Sequence, residues 1–429
     1  MSQTQTRNTD KDKFTSSDFA KLYKIKKEEH EAALKGDLEL TKETARKLIL
    51  EGKKNVLIIG PAGSGKTRFI KDFFRDHPKE AEKTLFIAQI GKAADVYKDG
   101  KTIHSCFGLN FNVQTPDEIC TNNLALIGKD RVVIEEIGET RVDYAEQVFK
   151  IIDRERKKHD RTLQVICTGD FSQLSPVCNE DDEIELKKYY KGKYAFHAPS
   201  WGHQDFQIIK LHKIERMKAE DEISRKYIDV VYAIKYNQTY GIDWLNSDAI
   251  SHKADEDGTY ICTSNDLVDH YNDLYIDQFL GTLEIYEPDN KDLLRNREKN
   301  IRLAPGMKIM MTHNTDKYKN GSMGTITETH DKRVKIKLDN NDKEIFVEPY
   351  IYNRDTGYYE QQLVIAKALT VHKAQGATFS SINITGRFFE TGQLYSALTR
   401  ASSVDGVHIL DPLIPEDVIT DYEAALWGT

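Results

Sequence analysis

Gly60-Pro61-Ala62-Gly63-Ser64-Gly65-Lys66-Thr67 follows the apolar run Asn55-Val56-Leu57-Ile58-Ile59 and precedes Arg68-Phe69-Ile70-Lys71-Asp72-Phe73-Phe74. The octet fits G-x-x-x-x-G-K-[ST], the phosphate-binding P-loop. The run before it reads as a buried strand and the segment after it as a helix start, which is the setting that chemistry requires. Glycines let backbone N–H groups close around phosphates, and the helix N-terminus adds partial positive charge. Gly60, Ala62, Gly63, Ser64, Gly65 and Arg68 are therefore expected to line a nucleotide site. Lys66 would reach the β- and γ-phosphates, and the Thr67 hydroxyl would hold Mg²⁺. A chance match in a chain this long arises about one or two times in a hundred, and the flanking strand and helix lower that further.

The 429 residues, 39% hydrophobic and 30% charged, suffice for two or three cores. The net charge of -8 argues against a protein that coats nucleic acid by bulk charge, but leaves room for a local basic channel. Five dispersed cysteines (Cys106, Cys120, Cys167, Cys178 and Cys262) form no C-x-x-C pair. They point to reduced thiols in a cytosol-like compartment and to no zinc site. No apolar run approaches membrane-spanning length, and the polar, charged start reads as no signal peptide, so a cytoplasmic protein is expected.

From Leu38 to about Ser200, short apolar runs alternate with longer amphipathic ones, as a parallel α/β sheet requires. Val56–Ile59, Thr84–Ala88, Arg131–Ile134 and Gln164–Cys167 read as its strands. A second such pattern begins near Phe206 and includes Tyr260–Thr263 and Ser381–Thr385. Between those two strands, Met307–Thr312, Gly324–Thr329, Arg333–Leu338 and Glu344–Val347 are short and punctuated by turns at Asn320-Gly321 and Asp339-Asn340-Asn341-Asp342. That texture predicts a small β-barrel inserted into the second α/β domain. Residues 1–37, rich in Lys and Glu, read as a polar tail, with a surface helix over Lys21–Leu34.

Val132-Val133-Ile134-Glu135-Glu136 is an apolar strand ending in two acids, the Walker B form, with Glu135 where Asp is usual. The first acid is expected in the Mg²⁺ shell; the second, Glu136, would orient or deprotonate the attacking water. In Thr168-Gly169-Asp170-Phe171-Ser172-Gln173-Leu174-Ser175-Pro176-Val177, Gln173 suits a γ-phosphate sensor, because an amide bonds both phosphate oxygen and water. Read without that role, the segment is a polar turn closed by Pro176.

With Leu369-Thr370-Val371-His372-Lys373-Ala374-Gln375-Gly376-Ala377-Thr378-Phe379 and Gly392-Gln393-Leu394-Tyr395-Ser396-Ala397-Leu398-Thr399-Arg400-Ala401, the order of segments resembles superfamily 1B helicases of the Pif-type branch, kin to RecD-like and Dda-like enzymes. GPAGSGKT, GDFSQLSPV, TVHKAQGATF and GQLYSALTRA are similar to that family's motifs I, III, V and VI. Ile90–Ala94 and Thr102–Ser105 resemble its early DNA-contacting motifs, Thr263–Asn265 its motif IV, and Leu211–Arg216 the segment presenting its first arginine finger. Leu303–Met307 and Asn320–Gly324 are similar to the stretch entering its small barrel.

The resemblance, over about residues 38–412, implies a DNA-dependent ATPase with two RecA-like domains and ATP, with Mg²⁺, in the cleft between them. Residues 38–204 would form the first domain, with a small insertion near 105–130; residues 205–302 and 363–429 the second; residues 303–362 the barrel. Arg216 and Arg400 would stabilise charge on the transferring phosphoryl group, and Gln375 and Gly376 would line the nucleotide. Thr102, His104, Ser105, Ser264, His372 and Lys373 would contact DNA. Single-stranded and forked DNA would be the partners, 5′ to 3′ the direction, a monomer the working unit, and replication, repair or recombination the setting. Thr44 stands where the family has an adenine-reading Gln, and the signature between motifs II and III survives only partly, as Ile152-Asp153-Arg154-Glu155-Arg156. Phe107 and Phe111 are candidates for a strand-separating wedge, with core packing as the alternative. Tyr350, Tyr352, Tyr358 and Tyr359 could offer stacking faces or belong to the barrel. Two other readings stay open: an ATPase that translocates or remodels without unwinding, and a catalytically weak DNA-binding module.

Overall fold

The computed structural model describes residues 14–34, 38–279 except 95, 98, 119 and 121, 284–286, and 301–428 except 314, 316, 319, 331–332, 340–341, 349, 354–357 and 361. Strands β1 (Val56–Ile59), β2 (Thr84–Ala88), β3 (Lys101–Thr102), β4 (Arg131–Glu135), β5 (Gln164–Gly169) and β6 (Gln207–Lys210) form one parallel sheet in the order β3-β2-β4-β5-β1-β6. β1 is buried along its whole length because both faces are covered. Its side chains alternate between two cores, as the two-residue period of a strand demands. Val56 and Ile58 pack with Phe69, Ile70 and Phe73 of the helix Lys66–Asp76. Leu57 and Ile59 face Val148, Phe149 and Ile152 of the helix Val142–His159.

A second parallel sheet has the order Ala368–Thr370, Thr259–Cys262, Ile382–Thr385, Val407–Ile409. Between its strands in sequence lies a five-stranded antiparallel sheet, in the order Glu344–Val347, Arg333–Leu338, Met323–His330, Lys308–Met311, Leu363–Ile365. Arg333–Leu338 alternates exposed or half-exposed with buried residues. Its buried face joins Ile309, Ile326, Ile336 and Ile345 in a core of their own. Two parallel sheets and one inserted antiparallel sheet are the architecture expected from the sequence.

The segment read as a polar tail differs from that expectation. Ser16–Leu34 is a helix with Phe19, Leu22 and Lys26 buried. Leu22 packs with Tyr232, Tyr236 and Ala425, and Lys26 Nζ donates to the Gly428 carbonyl at 2.9 Å. Few large apolar residues suffice here because the partner surface supplies the aromatic rings. The chain end, expected with the second sheet, returns to the first. The Trp427 ring lies 5.6 Å from those of Phe196 and Trp201 and 5.7 Å from that of Phe171.

Candidate functional site

Sheet register assembles the site. β1 pairs with β5 through Ile59 and Gly169, and with β6 through Ile59 and Lys210. The P-loop after β1 is thereby flanked on one side by Asp170–Leu174 and on the other by Leu211–Arg216. Both lie at the carboxyl ends of parallel strands, where open α/β sheets bind ligands.

Within the P-loop, Gly63 and Gly65 adopt φ of 79° and 81°, which glycine reaches without steric cost. A Cβ on Gly60 would meet the Leu211 carbonyl oxygen at 2.5 Å. Lys66 is buried and donates to the carbonyls of Gly60 (2.8 Å) and Pro61 (3.1 Å). Ser64 is buried, whereas Arg68 is exposed and faces Asp72 at 3.6 Å.

β4 carries the two acids. Glu135 is 1% exposed and accepts from the Thr67 hydroxyl and, at 3.0 Å, from the Tyr97 hydroxyl. Burial, and then the neighbouring Glu136, raise its pKa above the usual carboxylate value. Glu136 has φ 51°, a left-handed conformation rare outside glycine, so the chain turns sharply out of the strand between the acids.

The arginines come from beyond the first sheet. Arg400 is 1% exposed; it donates to the carbonyl of Ser396 (2.8 Å), to Thr399 Oγ1 (2.9 Å) and to Gln173 Oε1 (3.1 Å). Burial, and then Arg216, pull its pKa down to about 9, while Glu136 opposes the shift. Arg216 donates to the Thr399 carbonyl at 2.5 Å and is likewise lowered by burial. The structure thus brings Gln173, Arg216 and Arg400 together, with Glu136 in their field. Gln375 is buried and Gly376 is exposed just after the helix Val371–Ala374.

The residues expected to contact DNA share a local design. Thr102 caps the helix Ile103–Phe107, Ser264 caps Asn265–Asp277, and Thr370 caps Val371–Ala374, on which His372 and Lys373 lie. Thr102 and Thr370 are the last residues of strands of the parallel sheets, and Ser264 lies two residues past one. Ser105 Oγ donates to the Thr102 carbonyl at 3.0 Å. His104 stacks on Phe111 with ring centroids 4.6 Å apart, and burial lowers its pKa. His372 Nε2 lies 3.1 Å from the Glu390 carboxylate.

Of the wedge candidates, Phe107 is buried in the first core, where the alternative reading put it, and Phe111 is 79% exposed. The partial signature residue Arg156 is structural: it bonds Asn55, Gln204 and the Leu163 carbonyl. Tyr350 and Tyr352 lie on one strand of a hairpin, Tyr358 and Tyr359 on the other; their side chains lie outside the described residues.

Sequence reasoning missed Tyr395, Asp170 and Lys235 as parts of the site. Tyr395 and Asp170 lie inside motif segments whose local sequence gives them no role. Lys235 ends an amphipathic helix, Glu222–Lys235, and carries no local signal, yet it is 1% exposed and lies 3.3 Å from Asp170. Lys42 and Glu215, 173 residues apart, pair at 2.8 Å beside the P-loop, a contact no local pattern announces.

Among the described residues no helix is long and apolar enough to cross a membrane. A sequence model described as PIF1-like helicase matches residues 39–239. ATP-dependent DNA helicase PIF1 of Danio rerio is 27% identical over 409 residues, covering 87% of this chain and 61% of that protein. The chain therefore spans less than two thirds of that relative's length. ATP-dependent DNA helicase Pif1 of Bdellovibrio bacteriovorus is 26% identical over 416 residues, covering 90% of each. Among solved structures, Bacteroides Pif1 bound to ssDNA superposes with TM-score 0.76 at 26% identity, covering 90% of this chain and 95% of that one. A structure described as DNA unwinding at forked dsDNA by two coordinating Pif1 helicases gives 0.75 at 27%, covering 89% and 94%. The monomer expected from the sequence draws no support from that description. With the P-loop and the two parallel sheets in place, the chain is similar to PIF1-like helicases over residues 39–239 in sequence and to solved Pif1 structures over about nine tenths of its length.

Proposed function

We propose that this protein hydrolyses ATP to move 5′ to 3′ along single-stranded DNA and to unwind forked duplex ahead of it. The observation that carries the reading is the convergence on the P-loop of Arg400, bonded to Gln173, and Arg216, bonded to the neighbouring Thr399 carbonyl and set against Gly63. A γ-phosphate there would be held by Lys66 from the first sheet's side and by Arg400 from the second's. Bond cleavage would then change how the two sheets sit against each other, which is how hydrolysis drives movement. The sheet β1–β6 would act as the first motor domain, the second parallel sheet as the second and the antiparallel sheet as the inserted barrel; the expected bounds at 204 and 362 move, because Gln207–Lys210 pairs with β1 and Leu363–Ile365 with Lys308–Met311.

Thr67 and Glu135 place two oxygen donors side by side, the hard-ligand chemistry Mg²⁺ selects. They would hold the ion, which would neutralise charge on the phosphates. Glu136 would orient the attacking water, and Gln173 would sense the γ-phosphate. Thr102, His104, Ser105, Ser264, His372 and Lys373 would contact the strand through side chains and helix N-termini. The relatives called ATP-dependent DNA helicases, and the Pif1 structures described with ssDNA or forked dsDNA, support this reading.

Strand displacement on 5′-tailed and 3′-tailed duplexes with ATP tests it, with Lys66→Ala as the inactive control. Unwinding of the 5′-tailed substrate alone is expected. Preference for the 3′ tail overturns the direction, and DNA-stimulated hydrolysis without displacement favours translocation without unwinding.

A further inference from the structure

Glu215 and Lys42 stand against the phosphate cradle and have no assigned role. The backbone N–H groups of Glu215 and Arg216 both donate to the Gly63 carbonyl, at 2.8 and 3.0 Å. This lays the segment across the P-loop. One carboxylate oxygen of Glu215 stands 2.6 Å from where a Cβ on Gly65 would be. The other accepts from Lys42 Nζ at 2.8 Å. The Lys42 side chain is only 14% exposed and the Glu215 side chain 27%.

This arrangement puts an anion at the rim of a site built for anions. A nucleoside triphosphate brings several negative charges to the same P-loop, and a carboxylate beside them repels unless a cation stands between. Lys42 is the cation that meets the Glu215 carboxylate. It projects from the helix Leu38–Glu51. Thr44, on the same helix at the position where a base-reading Gln was expected, is exposed and turns back to the Leu40 carbonyl at 2.9 Å. Lys42, unlike Thr44, reaches the P-loop rim through Glu215. Lys66 shows the same behaviour inside the loop, resting on the carbonyls of Gly60 and Pro61.

We propose that Lys42 is a nucleotide-binding residue and that Glu215 is its competing anion. Lys42 rests on Glu215 in the nucleotide-free protein and turns to a phosphate oxygen when a nucleoside di- or triphosphate enters. The inference rests on the P-loop being the nucleotide site.

Equilibrium binding of a fluorescent ATP analogue to the full chain, with unlabelled ATP as competitor, tests it. Lys42→Ala should weaken binding about tenfold or more, because it removes a charge-assisted bond. Lys42→Met keeps the stem and should behave the same; Lys42→Arg should retain most of the affinity. Glu215→Gln should tighten binding about threefold to tenfold, since the competitor loses its charge. The double variant Lys42→Ala/Glu215→Gln should bind more weakly than the two single effects combined predict, because Glu215→Gln releases a competitor only while Lys42 is present; a merely structural ion pair does not produce that shortfall. Thermal melting of each variant identifies any loss of fold.

If Glu215→Gln weakens nucleotide binding, or the double variant is simply additive, the competition is refuted. If wild type and Lys66→Ala bind the analogue equally weakly, the nucleotide-site reading itself fails. Wild-type binding that depends on Lys66 but not on Lys42 or Glu215 sinks only the present inference.

Discussion

The Tyr395 hydroxyl accepts a hydrogen bond from the backbone N–H of Ala62 at 3.1 Å, tying the helix Gln393–Leu398 to the middle of the P-loop. The same hydroxyl donates to Asp170 Oδ2 at 2.9 Å, and Asp170 Oδ1 lies 3.3 Å from Lys235. Ser396 Oγ accepts from the Leu174 N–H at 3.1 Å beside it. These groups are buried, so each is satisfied only while the two sheets stay in register. The Tyr395 phenol thus ties the phosphate cradle to the helix Gln393–Leu398, beside Arg216, which bonds both the Gly63 and the Thr399 carbonyls.

Tyr395→Phe keeps the ring and removes that joint. It leaves the Ala62 N–H and one Asp170 oxygen without their buried partner, a cost of about 1–3 kcal/mol. The melting temperature should fall by several degrees, and DNA-stimulated ATPase should drop about tenfold, more than ATP affinity does. Unchanged DNA stimulation in a destabilised variant would show the bond to be structural only.

Arg400→Ala and Arg216→Ala should each lower ATP turnover by about two to four orders of magnitude while nucleotide affinity changes little, if they act on the transferring phosphoryl group. Arg400→Lys should not rescue, because Arg400 spreads its contacts over Ser396, Thr399 and Gln173 and a single ammonium cannot match them. Single-turnover hydrolysis with saturating DNA is the measurement; near-normal turnover in either alanine variant removes that residue from the chemistry.

Glu135 and Glu136 should separate by role. Glu136→Gln should bind ATP and hydrolyse it very slowly, since the water-orienting carboxylate is gone. Glu135→Asp shortens the arm that meets Thr67 and should keep or raise turnover while altering the Mg²⁺ concentration needed. A dead Glu135→Asp beside an active Glu136→Gln would reverse the assignment.

His212 stands beside His30 of the first helix, with ring centroids 5.6 Å apart. Burial first, then His30 and nearby lysines, lower its pKa to about 4. The unfolded chain protonates such a residue near pH 6.5, so it binds more protons than the folded chain between there and about 4. Stability from this site is complete above pH 6.5 and is lost as pH falls toward 4. The melting temperature should therefore drop more between pH 7 and 5 in the wild type than in His212→Asn, a comparison that cancels the carboxylates common to both. Equal drops would mean that the helix Ser16–Leu34 docks independently of this pair.

Local features carried much of the reading. The strands Val56–Ile59, Thr84–Ala88, Arg333–Leu338 and Glu344–Val347 have the bounds their apolar runs predict. By contrast, Lys101–Thr102, Gln207–Lys210 and Val407–Ile409 were not anticipated. They are short or half-exposed, and β6 carries exposed or half-exposed residues at three of its four positions. Such pieces become strands because a neighbouring strand offers them hydrogen bonds, a reason absent from their own composition.

The P-loop, the acidic strand end and the order of motifs were legible in the residue order, because backbone conformation and phosphate chemistry there depend on neighbours within a few residues. The partners of those motifs were not. Tyr395 and Ala62 are 333 residues apart, Arg400 and Gln173 227, and Lys42 and Glu215 173. Which of many tyrosines, lysines and glutamates meet depends on the strand order β3-β2-β4-β5-β1-β6 and on how the second sheet docks against it. Hydrophobic periodicity says which face of an element is buried, not against what. The burial of Lys235 and the docking of Ser16–Leu34 follow from that packing, since a polar or sparsely apolar segment is buried only where the opposite surface supplies its bonds and rings.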